Sequence, residues 1–391
     1  MNRLFESAGL SAQAFLRDYW QQRPLLLRQA FPGFVPALDA NDIAGLACDE
    51  LAESRLVSGS DARGEWNLRY GPFGASDLEH LPTRDWTLLV QDVEKHYPPL
   101  QEWLTAFDFL PRWRIDDLMV SVAAPGGSVG PHVDQYDVFL VQVAGRRRWQ
   151  IAEAFDPTPR ADVELDMLQA FEPEQEWTLE AGDMLYLPPG VAHHGVAEAV
   201  DGDAGSLCMT WSVGMRAPSA ADLLQAFGEW LAAGADEGGR YVDRGIEAAI
   251  DPGLVDATAV QGFEALLRAP GSDPSRFRAF LGSFLSAYRL AHEPAPPERT
   301  VGAPGLLRAL QAGARLRPHP WTRLLWLEDG AVQGDGALLF AAGSMYPCSR
   351  ETAAAACNPT GLDAAQIGRL EGAAALLAEL VTRGHLLLET V

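Results

Sequence analysis

The sequence predicts an antiparallel β barrel or jelly roll over its first half, followed by a helical region and a small α+β unit. Three observations carry this. β-branched and apolar runs bounded by glycine and proline dominate up to about Val213, helical spacing takes over near Ala220, and a proline-rich stretch at 292–298 precedes a last segment of helices and short strands.

Taken in order, Glu6 to Leu27 reads as a helical segment carrying Phe15 and Trp20 that stops at Pro24 and feeds the strand-like Leu25-Leu26-Leu27. Ile115 to Val122 and Val138 to Val143 are strands, fenced by Gly126, Gly127, Gly130, Pro131 and Gly145. Ala217-Pro218-Ser219 ends this pattern, and Ala220 to Ala233 places Leu223, Leu224, Phe227, Trp230 and Leu231 at helical spacing. Helical text continues through Phe263 to Leu267 and Phe277 to Leu290. From Val301 the expected elements are a helix at Leu306 to Ala314, strands at Arg323 to Leu327 and Ala337 to Phe340, a helix at Gly368 to Thr382, and a strand at Leu386 to Leu388. That order suggests a winged-helix-like fold.

Composition narrows the function. The 391 residues include 30 Lys+Arg and 53 Asp+Glu, a formal charge of −23, and 48% are hydrophobic. Several cores can be built, and wholesale disorder is excluded. Such an acidic chain repels phosphate backbones, so no direct nucleic-acid ligand is expected and a basic polypeptide partner is favoured. Met1 to Leu10 shows no apolar core with basic flanks, and no apolar run approaches the ~18 residues that span a bilayer, so no membrane association and a cytoplasmic location are expected. Cys48, Cys208, Cys348 and Cys357 lack C-x-x-C spacing and read as free thiols.

Chemistry concentrates in two motifs. In Gly130-Pro131-His132-Val133-Asp134, strand periodicity points the imidazole and the carboxylate to the same face. Several hairpins later, Gly182-Asp183 leads through Pro188-Pro189-Gly190 to His193. Alone, His132 would be an ordinary hydrogen-bonded histidine at a strand end. Together the motifs place two nitrogen donors and one oxygen donor on one metal with three positions open, the arrangement of non-haem Fe(II) sites. His193 and His194 point to opposite faces, and the position after Gly190 favours His193. An open metal site of this kind needs an anionic cosubstrate. Along Arg146 to Ile151, the apolar set Trp149 and Ile151 shares its face with Arg147, so Arg147 points into the barrel, where it needs a carboxylate from a cosubstrate or from a protein Asp or Glu. Arg146 and Arg148 face solvent. Trp149 and Phe139 are candidates to wall the cavity or to serve as core aromatics.

These residues resemble the JmjC-type 2-oxoglutarate oxygenases, most closely the bacterial ribosomal oxygenases that hydroxylate an arginine of large-subunit ribosomal protein sixteen. The shared text includes Trp113 to Met119, Pro125-Gly126-Gly127, Val129 to His132, Asp134 to Phe139, Gly145 to Trp149, Ser212-Val213-Gly214 and Arg216-Ala217-Pro218, with weaker likeness at Arg55-Leu56, Ser58-Gly59 and Tyr70 to Phe73. The resemblance implies a JmjC/cupin-like double-stranded β-helix over 1–214, a helical dimerisation region over 215–300, and a winged-helix-like domain over 301–391. It implies Fe(II) on His132, Asp134 and His193, with Arg147 in place of the lysine that many relatives use for the distal carboxylate of 2-oxoglutarate, and Ser121 as a further cosubstrate contact. For the substrate guanidinium it implies Asp117, with Tyr136 and Ser212 in support; Asp117 could instead pair with Arg114 or another internal arginine.

The expected reaction consumes 2-oxoglutarate and O2, releases succinate and carbon dioxide, and hydroxylates the arginine β-carbon of a basic ribosomal protein, carried out by a homodimer. The alternatives are histidine hydroxylation or demethylation of another protein, or a cupin-type metal protein that does not use 2-oxoglutarate.

Overall fold

Glycine and proline punctuation sets the length of each strand, and the strands close into two facing antiparallel sheets. The computed structural model describes residues 4–60, 65–200, 206–234, 240–242, 255–271, 273–329 and 336–389. Two compact units result, Met1–Ala217 and Pro218–Val391.

The strands of the first unit are β1 (Leu25–Leu27), β2 (Ser54–Ser60), β3 (Glu65–Tyr70), β4 (Trp86–Val90), β5 (Ile115–Ala123), β6 (His132–Val133), β7 (Asp137–Ala144), β8 (Arg146–Ala152), β9 (Gln175–Leu179), β10 (Met184–Leu187), β11 (Ala192–Glu198) and β12 (Cys208–Met215). One sheet has the order β1-β10-β7-β12-β5-β4-β2-β3 and the other β6-β11-β8-β9. Late strands β10 and β12 lie on either side of β7, the winding of the double-stranded β-helix that the sequence predicts. Short helices α1 (Ala12–Asp18), α2 (Ala40–Leu46), α3 (Ala75–Glu79), α4 (Val93–His96) and α5 (Pro99–Trp103) flank the strands. Ser11 accepts the Ala14 N–H to start α1, and Asp39 forms a capping box with Asp42 at α2.

Strand β7 shows how the cores are divided. It is buried on both faces. Phe139, Val141 and Val143 join Phe15, Phe107, Tyr186 and Trp211 in the largest core, whereas Val138 and Leu140 face the lumen with Trp149, Ile151, Leu185 and Leu187. Phe139 therefore does not wall the cavity: its ring packs at a tilt, 5.0 Å from Tyr186 and 5.1 Å from Phe107, on the outer side of the sheet. Asp137, fully buried, anchors that side, accepting from Tyr186 Oη at 2.6 Å, Gln21 Nε2 at 3.0 Å and Arg114 Nη2 at 3.0 Å.

The second unit begins with α6 (Ala220–Ala233), α7 (Ala257–Gly271) and α8 (Pro274–Ala287). Ser219 and Asp222 form a capping box at α6, and Asp273 before Pro274 caps α8. Then follow α9 (Ala303–Gln311), β13 (Arg315–Pro318), β14 (Leu324–Glu328), β15 (Gly336–Ala341), β16 (Ser344–Ser349), α10 (Arg350–Ala356), α11 (Ala364–Ile367), α12 (Ala373–Thr382) and β17 (Leu386–Glu389). Strand β13 pairs with β17, and β14, β15 and β16 form a meander. Leu306, Leu310, Leu339, Leu377 and Leu380 are among the residues that hold this part together. Among the described residues no helix is long and apolar enough to cross a membrane, and all four cysteines are free thiols.

Candidate metal centre

The short strand β6 pairs with β11 so that His132 lies directly opposite His193. Backbone turns fix this approach. Gly130 sits at φ 80°, where a Cβ would run into the Met167 side chain, and the Gly190 N–H donates to the Asp134 carbonyl at 2.8 Å, tying the Pro-Pro-Gly turn to the other motif. Donor atoms of His132, Asp134 and His193 all fall within 4.8 Å of one another, and His193 Nε2 lies 3.7 Å from Asp134 Oδ2. Each imidazole is aimed by its own backbone: His132 Nδ1 bonds the Gly130 carbonyl and His193 Nδ1 the Val191 carbonyl, both at 3.0 Å. A carbonyl only accepts, so Nδ1 carries the proton in both rings and each Nε2 keeps its lone pair for a cation. Burial, then the neighbouring His132, pushes the His193 pKa down to about 4 and keeps it neutral. His194 points the other way, its ring 6.1 Å from Phe171.

Strand β8 supplies the cation. Arg147 pairs with Ala197 of β11 and is 5% exposed. Its Nε and Nη2 have no hydrogen-bond partner, and its guanidinium lies 5.6 Å from the Trp149 ring. Among the described residues no carboxylate pairs with it, so the protein-carboxylate alternative fails. The indole of Trp149 lies across Gly195, where a Cβ would be 2.7 Å from the ring, and sits 5.9 Å from His193. On the outer face Arg148 meets Glu176 at 3.3 Å and Glu198 at 3.5 Å. Ser121 is buried on β5, and its hydroxyl donates to the Thr210 carbonyl at 3.4 Å. A buried guanidinium lacking a partner and three donors with free lone pairs together fit an anionic bidentate cosubstrate and a divalent metal.

The residues expected to receive substrate lie on β5, on β12 and in the turn before β7. Asp117 and Tyr136 both approach Gly214, where a Cβ would stand 3.1 Å from Asp117 Oδ1 and 3.9 Å from the Tyr136 ring. Ser212, two residues before Gly214, is buried between Met119 and Leu140 of the flanking strands. Arg114 is engaged by Asp137, so the ion pair with Asp117 is not formed. Burial, and next Glu94, holds the Asp117 carboxyl well above the usual range. Tyr136 is pushed up by burial and then by Asp134, which its hydroxyl bonds; Arg216 lies 4.4 Å above its ring and pairs with Asp116 at 2.9 Å. Sequence reasoning missed Gln91, whose amide bonds Asp117 from the loop after β4, and Glu94 and Lys95 of α4, whose charges act on it. No local pattern marks a side chain that bonds a backbone group 24 residues away.

Comparison with known proteins agrees with this geometry. A JmjC domain model matches residues 102–223 and a ROXA-like winged-helix model residues 269–387. The ribosomal protein uL16 3-hydroxylase of Escherichia coli (strain K12) is 35% identical over 319 residues, covering 81% of this chain and 82% of that protein. A crystal structure of E. coli YcfD superposes with a TM-score of 0.86 at 33% identity, over 97% of this chain and 98% of that one. The YcfD ribosomal oxygenase in complex with cobalt and 2-oxoglutarate matches with a TM-score of 0.82 at 34% identity and the same coverage.

Proposed function

The chain belongs to the JmjC-type ribosomal oxygenases, and we propose that it hydroxylates the β-carbon of an arginine in ribosomal protein uL16, using Fe(II), 2-oxoglutarate and O2. The observation that carries this reading is the pairing of the His132, Asp134 and His193 donors with the partnerless buried guanidinium of Arg147. When bound, the metal and the oxo acid supply the oxidising chemistry: one oxygen atom of O2 converts 2-oxoglutarate to succinate and carbon dioxide, and the other enters a substrate C–H bond.

The protein's own part is placement. His132, Asp134 and His193 hold the metal from one side, leaving adjacent positions open. Arg147 receives the distal carboxylate of the oxo acid in a bidentate pair, with Ser121 as a further contact. Trp149 and the apolar lumen residues Leu140, Ile151 and Leu185 exclude water from the reacting centre. Asp117 takes the substrate guanidinium, Tyr136 and Ser212 border it, and this anchorage brings one C–H bond to the metal. The negative charge gathered around Asp117 suits a permanent cation and disfavours a neutral histidine side chain.

The helical segment 215–300 is proposed to form a homodimer. None of the described α6 residues is buried within the chain, and Leu224, Phe263 and Leu267 are 74%, 48% and 79% exposed. The winged-helix-like domain is proposed to span 301–391, whereas the ROXA-like winged-helix match starts earlier, at residue 269, and the domain is proposed as a structural or protein-contact module with no direct nucleic-acid ligand. An acidic chain of net charge −23 steers a basic ribosomal protein toward the barrel mouth, and that substrate places the enzyme in the cytoplasm. Adding 2-oxoglutarate anaerobically to the Fe(II)-loaded protein tests cosubstrate binding. An absorption change lost in Asp134→Ala supports it, and no change in the native protein would indicate a cupin-type metal protein of another activity.

A further inference from the structure

Strand β4 pairs with β5 only as far as Val90 opposite Val120. Beyond that point the chain turns away at Gln91 and Asp92, and Asp92 takes a left-handed conformation (φ 55°) to start α4. The next backbone donor on β5 is therefore met by a side chain: Glu94 Oε2 accepts the Leu118 N–H at 2.9 Å. Leu118 follows Asp117. Gln91 completes the support. With its amide oriented to satisfy its neighbours, it donates to Asp117 Oδ2 at 2.7 Å and accepts from Arg55 Nη2 at 3.1 Å.

We propose that Gln91 and Glu94 are positioning residues that aim the Asp117 carboxylate into the barrel mouth and make the site selective for a full positive charge. This rests on the reading of Asp117 as the guanidinium acceptor. Gln91 relays the Arg55 charge to Asp117, so one carboxylate oxygen is fixed and the other is left toward Gly214 and the incoming substrate. Glu94 pins the backbone beside it. The charges facing Asp117 are those of Asp92, Glu94 and Lys95 from the α4 side, Asp116 from its own strand, where it is engaged by Arg216, and Arg55 through Gln91, with the Tyr136 phenol across the mouth. Lys95 is bonded to Asp92 and lies 3.8 Å from Glu94. The carboxyl groups of Asp92, Glu94 and Asp117 outnumber the Lys95 ammonium and the Arg55 guanidinium, so ionising all three calls for a further positive charge, which a guanidinium arriving from substrate supplies. Glu94, with its pKa raised to about 7 by burial, disfavours ionisation of Asp117 until that cation arrives.

The test is steady-state kinetics of the full-length enzyme with purified uL16, varying uL16 and 2-oxoglutarate separately, over about pH 6 to 9. The variants are Asp117→Asn, Gln91→Ala, Glu94→Ala and Glu94→Gln. Gln91→Ala is expected to raise the KM for uL16 about tenfold, more than it lowers kcat, with the KM for 2-oxoglutarate unmoved. Glu94→Ala is expected to do the same. Glu94→Gln keeps the acceptor for the Leu118 N–H and restores the KM, while removing a negative neighbour of Asp117 shifts the acid limb of kcat/KM to lower pH. If Asp117→Asn raises the KM for uL16 but Gln91→Ala leaves the KM, and Glu94→Gln leaves the acid limb, as in the native enzyme, the positioning role is wrong. If Asp117→Asn itself leaves the KM unchanged, the guanidinium reading falls, and this inference falls with it. Should Glu94→Ala fail to fold, Gln91→Ala and Glu94→Gln still decide.

Discussion

His132 and His193 face each other across one β6–β11 residue pair, their ring centroids 4.2 Å apart, each ring aimed by a backbone carbonyl two residues upstream. Burial and the neighbouring His132 keep His193 neutral, and the two Nε2 atoms converge with Asp134. The adjacent His194 cannot substitute, because strand geometry sends it to the opposite face. His193→Ala is expected to lower turnover roughly hundredfold or more, whereas His194→Ala keeps turnover near native. Metal content of the two purified variants, measured beside activity, checks the assignment.

Arg147 offers a sharper separation of binding from folding. Its buried charge has no carboxylate partner among the described residues, and the proposed oxo-acid carboxylate would offset the cost of burying it. Arg147→Met is expected to raise the KM for 2-oxoglutarate about 50-fold without lowering the melting temperature of the cosubstrate-free protein. Adding 2-oxoglutarate raises the melting temperature of the native protein and leaves that of the variant unmoved. Thermal scans with and without the oxo acid give both answers.

On the outer side of the facing sheet, Asp137 is structural. It holds Arg114, Tyr186 and Gln21 together within the largest core. Asp137→Ala strands a buried guanidinium and is expected to cost about 3–5 kcal/mol in urea unfolding.

Much of this arrangement is legible in the sequence, and the failures have physical causes. His132, Asp134 and His193 are identifiable because short turns and strand periodicity fix their direction locally, and the alternation of Arg147, Trp149 and Ile151 against Arg146, Arg148 and Gln150 shows which arginine turns inward. Phe139 stays undecided between cavity wall and core in the sequence because β7 is buried on both faces, so its apolar run carries no mark of lumen or exterior. The pairing of Arg114 with Asp137 instead of Asp117 is a long-range choice that spacing does not encode. In the second unit, β13 and β16 escape notice because both are short and contain proline, and α10 because its alanines leave no apolar stripe.

The exposed apolar residues of α6 and α7 bear on assembly. Leu224→Glu combined with Leu267→Glu is expected to convert a dimer into monomers in sedimentation experiments while leaving the circular dichroism spectrum unchanged. Sedimentation of the native protein as a monomer would remove the basis for the dimer.

Mass spectrometry of uL16 incubated with the purified protein, Fe(II), 2-oxoglutarate and O2 tests the proposed activity most directly. The expected result is the gain of one oxygen atom on an arginine β-carbon, with one succinate formed for each oxygen gained, and no gain with His132→Ala. An unmodified uL16, or the same gain with His132→Ala, would contradict it.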